Sequence, residues 1–261
     1  MLKYLAAVFL FLLLPFHAMA QDKVLDRIVA KGEINCGVYV LGTVFSYDTS
    51  GKPKGFTVDL MDQVSLRTGL KIKYTEISSF ATLRQDMETG KFDMICAPVL
   101  FFPSTAMKFL PGNYIARDEI NIYADASIDT SKITKVEDLN APSARFVGMD
   151  GELGGIYVPK LFPKAKLTML PQGVTPAQMF LELQTKKADY ILLSRVAAQA
   201  YGKDNPNKIK LVQKLSALYP SIRFFYPADS YQLKANIDAV LDEVEREGIM
   251  QSLLKKHDLL F

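Results

Sequence analysis

Histidine and cysteine are scarce in this chain of 261 residues, which has two of each. Zinc and related metals need Cys and His ligands at clustered spacings. His17 falls in a leading segment expected to be removed, and His257 sits in a basic helical stretch where a surface position is expected. No metal site and no cofactor motif is expected. Two cysteines are too few for a disulfide-built scaffold, and a chain of this length does not need one. Dense charge is also missing. The formal net charge is +3, and the fullest basic stretch (Lys203, Lys208, Lys210, Lys214) has no interleaved aromatic residues. It reads as a solvated face, and nucleic acid is excluded as a partner. The one long apolar run, residues 5–16, is shorter than the roughly 20 residues a bilayer span requires. With Lys3 before it and Ala18-Met19-Ala20 after it, the run has the layout of a secretory signal peptide. Residues 1–20 are expected to be cleaved, with no cysteine at the cleavage point for a lipid anchor. An exported chain has no access to cytoplasmic ATP or nicotinamide pools, which favours binding over ordinary metabolism.

The remaining sequence alternates helix and strand patterns. Helical periodicity over 24–30 stops at Gly32, and 34–40 is a buried-strand run. The turn-rich stretch 48–53 predicts a hairpin loop. Leu60, Met61 and Val64 share one helical face before Gly69, and Leu70, Ile72 and Tyr74 alternate with Lys71 and Lys73. Phe80, Leu83 and Met87 recur at helical spacing, and an apolar strand follows over 92–97. The theme returns with a strand at 146–149, a glycine-rich turn at 151–155, a helix to Leu161 and a short strand at 167–170. Thr175-Pro176-Ala177-Gln178 predicts a helix start, with Thr as N-cap, Pro first and Gln at the capping-box position. A strand at 188–193 and a long amphipathic helix over 233–244 complete the pattern. Such alternation predicts an α/β protein with parallel sheets and covered faces, here in two lobes. Ligands of open α/β sheets sit beyond the carboxyl ends of strands. That points to the loops after Val40, Ala97, Met149 and Leu193.

Several segments carry a family resemblance. Leu25-Asp26-Arg27-Ile28 with Lys31-Gly32-Glu33-Ile34, Gly55-Phe56-Thr57-Val58-Asp59-Leu60 and Thr89-Gly90-Lys91-Phe92-Asp93-Met94-Ile95 resemble the family 3 bacterial extracellular solute-binding proteins. Lys135-Val136-Glu137-Asp138-Leu139, Lys187-Ala188-Asp189-Tyr190 and Gly248-Ile249-Met250 extend the likeness over nearly the whole mature chain. The resemblance implies a type II periplasmic-binding-protein fold with two lobes joined by a two-stranded hinge. Lobe 1 would be 21–117 plus 223–261, and lobe 2 would be 118–222. It also implies a monomer in the periplasm that closes on a small-molecule solute and presents it to an inner-membrane ABC permease.

Family pocket positions carry over one at a time. Phe80 falls where the family packs an aromatic residue on the ligand, and Phe45 supplies a second wall. After the strand at 92–97 the family uses a glycine, hydroxyl residues and an arginine that clamps a carboxylate. Here the stretch holds Pro98, Leu100 and Phe102, and Thr105 stands at the arginine position, where no planar bidentate clamp can form. The family's amine-binding aspartate falls on Ser194. A buried charge left unpaired costs on the order of several kcal/mol, so other residues must pair the ligand or the ligand differs from a standard amino acid. Arg195 is a candidate replacement cation, and Asp150 and Glu152 are candidate anions, although each also fits a solvated loop. Leu153 and Gly154 lie on a turn whose N–H groups suit a polar or anionic group. Strand alternation turns Phe101 into lobe 1 and Leu100 and Phe102 toward an apolar cleft. Cys36 and Cys96 lie on strands that the family fold sets side by side. A disulfide is open to them in an oxidising compartment, but such strands seldom hold two Cβ atoms about 3.5–4.5 Å apart, so two buried thiols are the expected state.

The expected function is capture of a small organic molecule, amino-acid-like or more apolar, for an ABC importer. No enzyme is expected. Two alternatives are a periplasmic accessory protein with an apolar cleft for a protein or lipidic partner, and a cyclohexadienyl-dehydratase-like enzyme with Glu152 as general acid.

Overall fold

The computed structural model describes residues 22–79, 81–102, 107–215, 218 and 220–260. The segment expected to be a signal peptide therefore lies outside the described residues. The chain opens with α1 (Lys23–Lys31), capped by Asp22, which accepts from the Leu25 N–H, and ended by left-handed Gly32. Next come β1 (Glu33–Val38), the small hairpin β2 (Ser46–Tyr47) and β3 (Pro53–Lys54), and α2 (Phe56–Thr68). β4 (Lys71–Glu76), α3 (Leu83–Glu88), β5 (Met94–Leu100), β6 (Leu110–Pro111) and β7 (Ala116–Arg117) follow. The middle of the chain holds β8 (Ile120–Asp125), a 3-10 turn at Val136–Leu139, β9 (Arg145–Met149) and α4 (Leu153–Leu161). It continues with β10 (Lys166–Leu170), α5 (Pro176–Gln184), β11 (Tyr190–Ser194), α6 (Arg195–Asp204) and β12 (Ile209–Lys214). β13 (Ser221–Tyr226), α7 (Tyr231–Arg246) and α8 (Ile249–Lys256) complete the described chain.

The strands form two principal sheets. The first has the order β4-β1-β5-β13-β6, with β7 also on β13, and the second has the order β10-β9-β11-β8-β12. The chain passes from the first to the second between Arg117 and Ile120, and returns between Lys214 and Ser221. β1 runs parallel to β4 and β5, and β9 runs parallel to β10 and β11. The sheets are nonetheless mixed, because β13 is antiparallel to β5 and β8 is antiparallel to both β11 and β12. The helix at 176–184 starts at Thr175 with Pro176 first, as its sequence predicts, but the Thr175 hydroxyl makes no capping bond.

Apolar side chains cover both faces of each sheet. Ile34, Cys36, Val38, Met94, Cys96, Phe224 and Tyr226 join one core of the first sheet, and Phe92, Ile95, Ala97 and Phe225 join the other. This is the period-two alternation of strands buried on two sides. In the second sheet Phe146, Tyr190 and Leu192 face one cluster, while Val147, Ile191 and Leu193 face another.

Two polar clamps fix the central strands. Asp93, buried just before β5, accepts from Arg27 Nη2 at 2.6 Å and from the Asn35 N–H of β1 at 2.8 Å. Asp189, just before β11, takes a two-pronged bond from Arg145 of β9, at 2.8 and 2.6 Å. Gly55 explains a third motif. A Cβ there would come 2.7 Å from the Val44 carbonyl oxygen, and the backbone sits at φ 120. Its absence lets the loop after β1 cap α2, with Phe56 N–H donating to Thr43 and Thr57 N–H to Val44.

Two expectations are overturned. Cys36 and Cys96 are not thiols; they form a disulfide with a Cα–Cα distance of 5.3 Å, inside the range the bond tolerates. The register pairs Cys36 with Met94, so the cysteines meet across a two-residue offset on one face rather than from directly opposed positions. His257 is not a surface residue either. Its Nε2 lies 2.6 Å from Asp59 Oδ2 and its ring stands edge-on to Phe56 at 6.1 Å. The disulfide closes a separation of 60 residues, so Cys36→Ala with Cys96→Ala is expected to cost about 4 kcal/mol of unfolding free energy by chain-entropy reasoning. A urea-unfolding comparison of the variant with the oxidised protein measures this loss.

Candidate functional site

The carboxyl ends of β1, β5, β9 and β11 carry Tyr39, Leu100, Glu152 and Ser194 respectively, on or just past the last strand residue. Leu100 packs against clusters of both sheets. Phe102 is 5% exposed, belongs to a second-sheet cluster and sets its ring 6.1 Å from that of Tyr157 on α4. The end of β5 therefore reaches from one sheet into the core of the other, forming an apolar base between them.

The start of α6 is held by polar groups. Ser194 is its N-cap, and the hydroxyl accepts from the Ala197 N–H at 3.1 Å. Asp118, buried on the crossing between the sheets, accepts from the Glu119 N–H at 2.8 Å, and the Ser194 hydroxyl and Val196 N–H lie near enough to favour its ionised form. Burial pushes the Asp118 carboxyl above its ordinary range, opposed by these groups and by the Arg195 charge. Arg195 turns toward the segment after α8, where Nη1 donates to Asp258 Oδ2 at 2.7 Å and Nη2 donates to the Asp258 carbonyl. Its Nε is buried without a hydrogen-bond partner.

Glu152 is the N-cap of α4 but makes no side-chain cap bond. Burial alone raises its carboxyl to about 7. The Tyr39 hydroxyl is also raised, by burial first and then by the charges of Glu152 and Asp118. A phenol from the first sheet and a carboxyl from the second thus share one poorly solvated region. Leu153 is buried in the second-sheet core. Gly154 packs backbone to backbone on β9, where a Cβ would meet Gly148 Cα at 2.7 Å. Asp150 is exposed, with its N–H on the Leu170 carbonyl at 2.9 Å.

The other expected positions are scattered. Phe45 lies wholly within the first-sheet core, with ring contacts to Tyr47 and Tyr74 at 5.3 and 5.2 Å. Pro98 lies within β5, and Phe80 and Thr105 fall outside the described residues. Phe101 packs on the first-sheet side, with the Arg223 guanidinium 5.3 Å from its ring centroid. Sequence reasoning missed Tyr39 and Asp118. Tyr39 was accessible as the penultimate residue of the apolar run 34–40, whereas no periodicity marks Asp118. Among the described residues, no three His, Cys, Asp or Glu side chains gather as a metal would require.

The family model of the bacterial extracellular solute-binding proteins, family 3, matches residues 34–259. A probable histidine-binding protein of Campylobacter jejuni is 22% identical over 224 residues, covering 82% of this chain and 80% of that protein. An ancestral amino acid-binding protein, described as a precursor of cyclohexadienyl dehydratase, has a TM-score of 0.74 at 20% identity, over 90% of this chain and 99% of that one. The cysteine-binding protein of Campylobacter jejuni has a TM-score of 0.73 at 19% identity, over 91% and 93% of the two chains. The fold is the bilobal α/β type II periplasmic-binding-protein fold. With a family match running from β1 to beyond α8, the chain belongs to the bacterial extracellular solute-binding proteins, family 3.

Proposed function

We propose that this protein captures a small organic solute between its two lobes in the periplasm and presents it to an inner-membrane ABC importer. Lobe 1 is residues 21–117 with 223–261, lobe 2 is residues 118–222, and the two crossings are the hinge. The observation that carries the reading is the meeting of the carboxyl ends of β1, β5, β9 and β11, where Tyr39, Leu100 and Glu152 come from both lobes. The Cys36–Cys96 disulfide supports an oxidising compartment. Among the described residues Glu152 makes no salt bridge, whereas Arg195 is engaged by Asp258 and Ser194 by its own helix. Near neutral pH Glu152 offers either an O–H donor or a carboxylate to the solute. The related binding proteins of Campylobacter jejuni, named for histidine and cysteine, support an amino-acid-like solute.

A second reading is favoured by the same carboxyl group. A protonated Glu152 in a dry cleft suits a general acid for an elimination, and one structural relative is described as a precursor of cyclohexadienyl dehydratase.

Native mass spectrometry of protein purified from its own periplasm is expected to reveal a bound small molecule. Adding that molecule to the stripped protein is expected to lower the radius of gyration in X-ray scattering. No retained molecule, and no contraction across a broad metabolite screen, contradicts the solute reading. The second reading predicts turnover of a cyclohexadienyl substrate that Glu152→Gln abolishes, and wild-type inactivity in that assay removes it. Glu152 also has a signature in stability. A carboxyl raised in the folded state favours folding with its proton on, so its contribution falls as pH rises from about 4.5 to about 7. Glu152→Gln is therefore expected to be more stable than wild type at pH 8, by roughly 2 kcal/mol after allowance for partial exposure. The difference is expected to vanish near pH 4, as urea titrations at the two pH values will report.

A further inference from the structure

α6 follows β11 of the second sheet, yet one side of it docks on the first. Val196 is buried in a first-sheet core cluster. A Cβ on Gly42, in the loop after β1, would lie 3.0 Å from the Ala200 Cβ. The polar part of this contact is made by the segment after α8. Asp258 adopts a left-handed backbone, with φ 53, which reverses the chain at the end of the helix. The reversal drops Leu259 into the first-sheet core and brings Leu260 to the crossing, where its carbonyl accepts from the Arg117 N–H at 3.0 Å. It also leaves the Asp258 carboxylate facing α6. There Oδ2 accepts from Arg195 Nη1 at 2.7 Å and from Gln199 Nε2 at 3.2 Å. Arg195 Nη2 donates to the Asp258 carbonyl, so the guanidinium grips side chain and backbone together. From the other side the crossing holds the same helix start, with the Arg195 N–H donating to the Glu119 carbonyl at 2.7 Å.

We propose that Asp258, through Arg195 and Gln199, is a non-covalent third tie between the lobes that keeps α6 and the cleft wall docked in the closed arrangement. The tie rests on the two-lobe reading above and acts without solute. The two covalent crossings permit rotation, whereas a third attachment at the start of α6 restricts it. Arg195 and Asp258 are thus positioning residues for the cleft. An ion pair with one partner exposed contributes modestly, and the bidentate grip places the effect at the upper end of that range.

The test is a distance measurement between spin labels at Leu66→Cys on α2 and Leu181→Cys on α5, both exposed positions on different lobes, in the oxidised protein stripped of solute. Asp258→Ala is expected to shift the distribution to longer distances, raising the open-to-closed ratio roughly three- to tenfold. Asp258→Gly keeps the left-handed backbone without strain and is expected to do the same, which separates loss of the carboxylate from misfolding. Arg195→Ala is expected to match them, and Arg195→Ala with Asp258→Gly to add nothing further. Unchanged distances in Asp258→Gly and in Arg195→Ala would overturn the tie. That result leaves solute-driven contraction, measured separately, untouched.

Discussion

Each sheet is organised around an aspartate that sits immediately before its central strand. Asp93 binds Arg27 and the backbone of β1, and Asp189 binds Arg145 of β9. A carboxylate removed from water requires ionic and hydrogen-bonding partners, and those partners lie on the neighbouring helix or strand. The clamp thereby fixes where β5 and β11 begin. Because those strands run straight through the two cores, it also fixes where they end. Leu100 and Ser194 stand at those ends, so their placement follows from two ion pairs at the starts of the same strands.

The polar groups around the cleft divide into those already engaged and those still available. Ser194 caps α6, and Arg195 binds Asp258. Ser194, where the family resemblance expects an amine-binding aspartate, is therefore absorbed into the protein's own helix cap. Glu152 makes no salt bridge among the described residues, and burial displaces the titrations of both Glu152 and Tyr39.

Much of the fold was legible in the sequence, for identifiable reasons. Strands buried on two faces leave continuous apolar runs, as at 34–38, 94–97 and 190–193, and left-handed glycines such as Gly32 and Gly69 mark helix ends. β8, β12 and β13 were missed. β12 alternates charged and apolar residues beside a lysine-rich stretch, and its half-buried pattern resembles a solvated surface. α6 was missed because its apolar residues face two different bodies, Val196 the first-sheet core and Ala198 the second. The site was less legible than the fold. Whether a loop arginine meets a solute or an aspartate 63 residues later depends on tertiary placement that no local spacing encodes. The disulfide escaped for the same reason, since it follows from strand register rather than from the separation of its cysteines.

The sheet topology bears on the order in which the molecule can be built. Every strand of the second sheet comes from one continuous stretch, 120–214, so that body can complete itself as soon as its last strand appears. The first sheet cannot. β5 waits for β13, which is made only after the whole second sheet, and α7 and α8 come later still. Until then one edge of β5 stays open, with apolar faces uncovered. The inserted body can assemble around its own contacts while its host remains unfinished, and the bond between Cys36 and Cys96 can hold β1 to β5 through that interval.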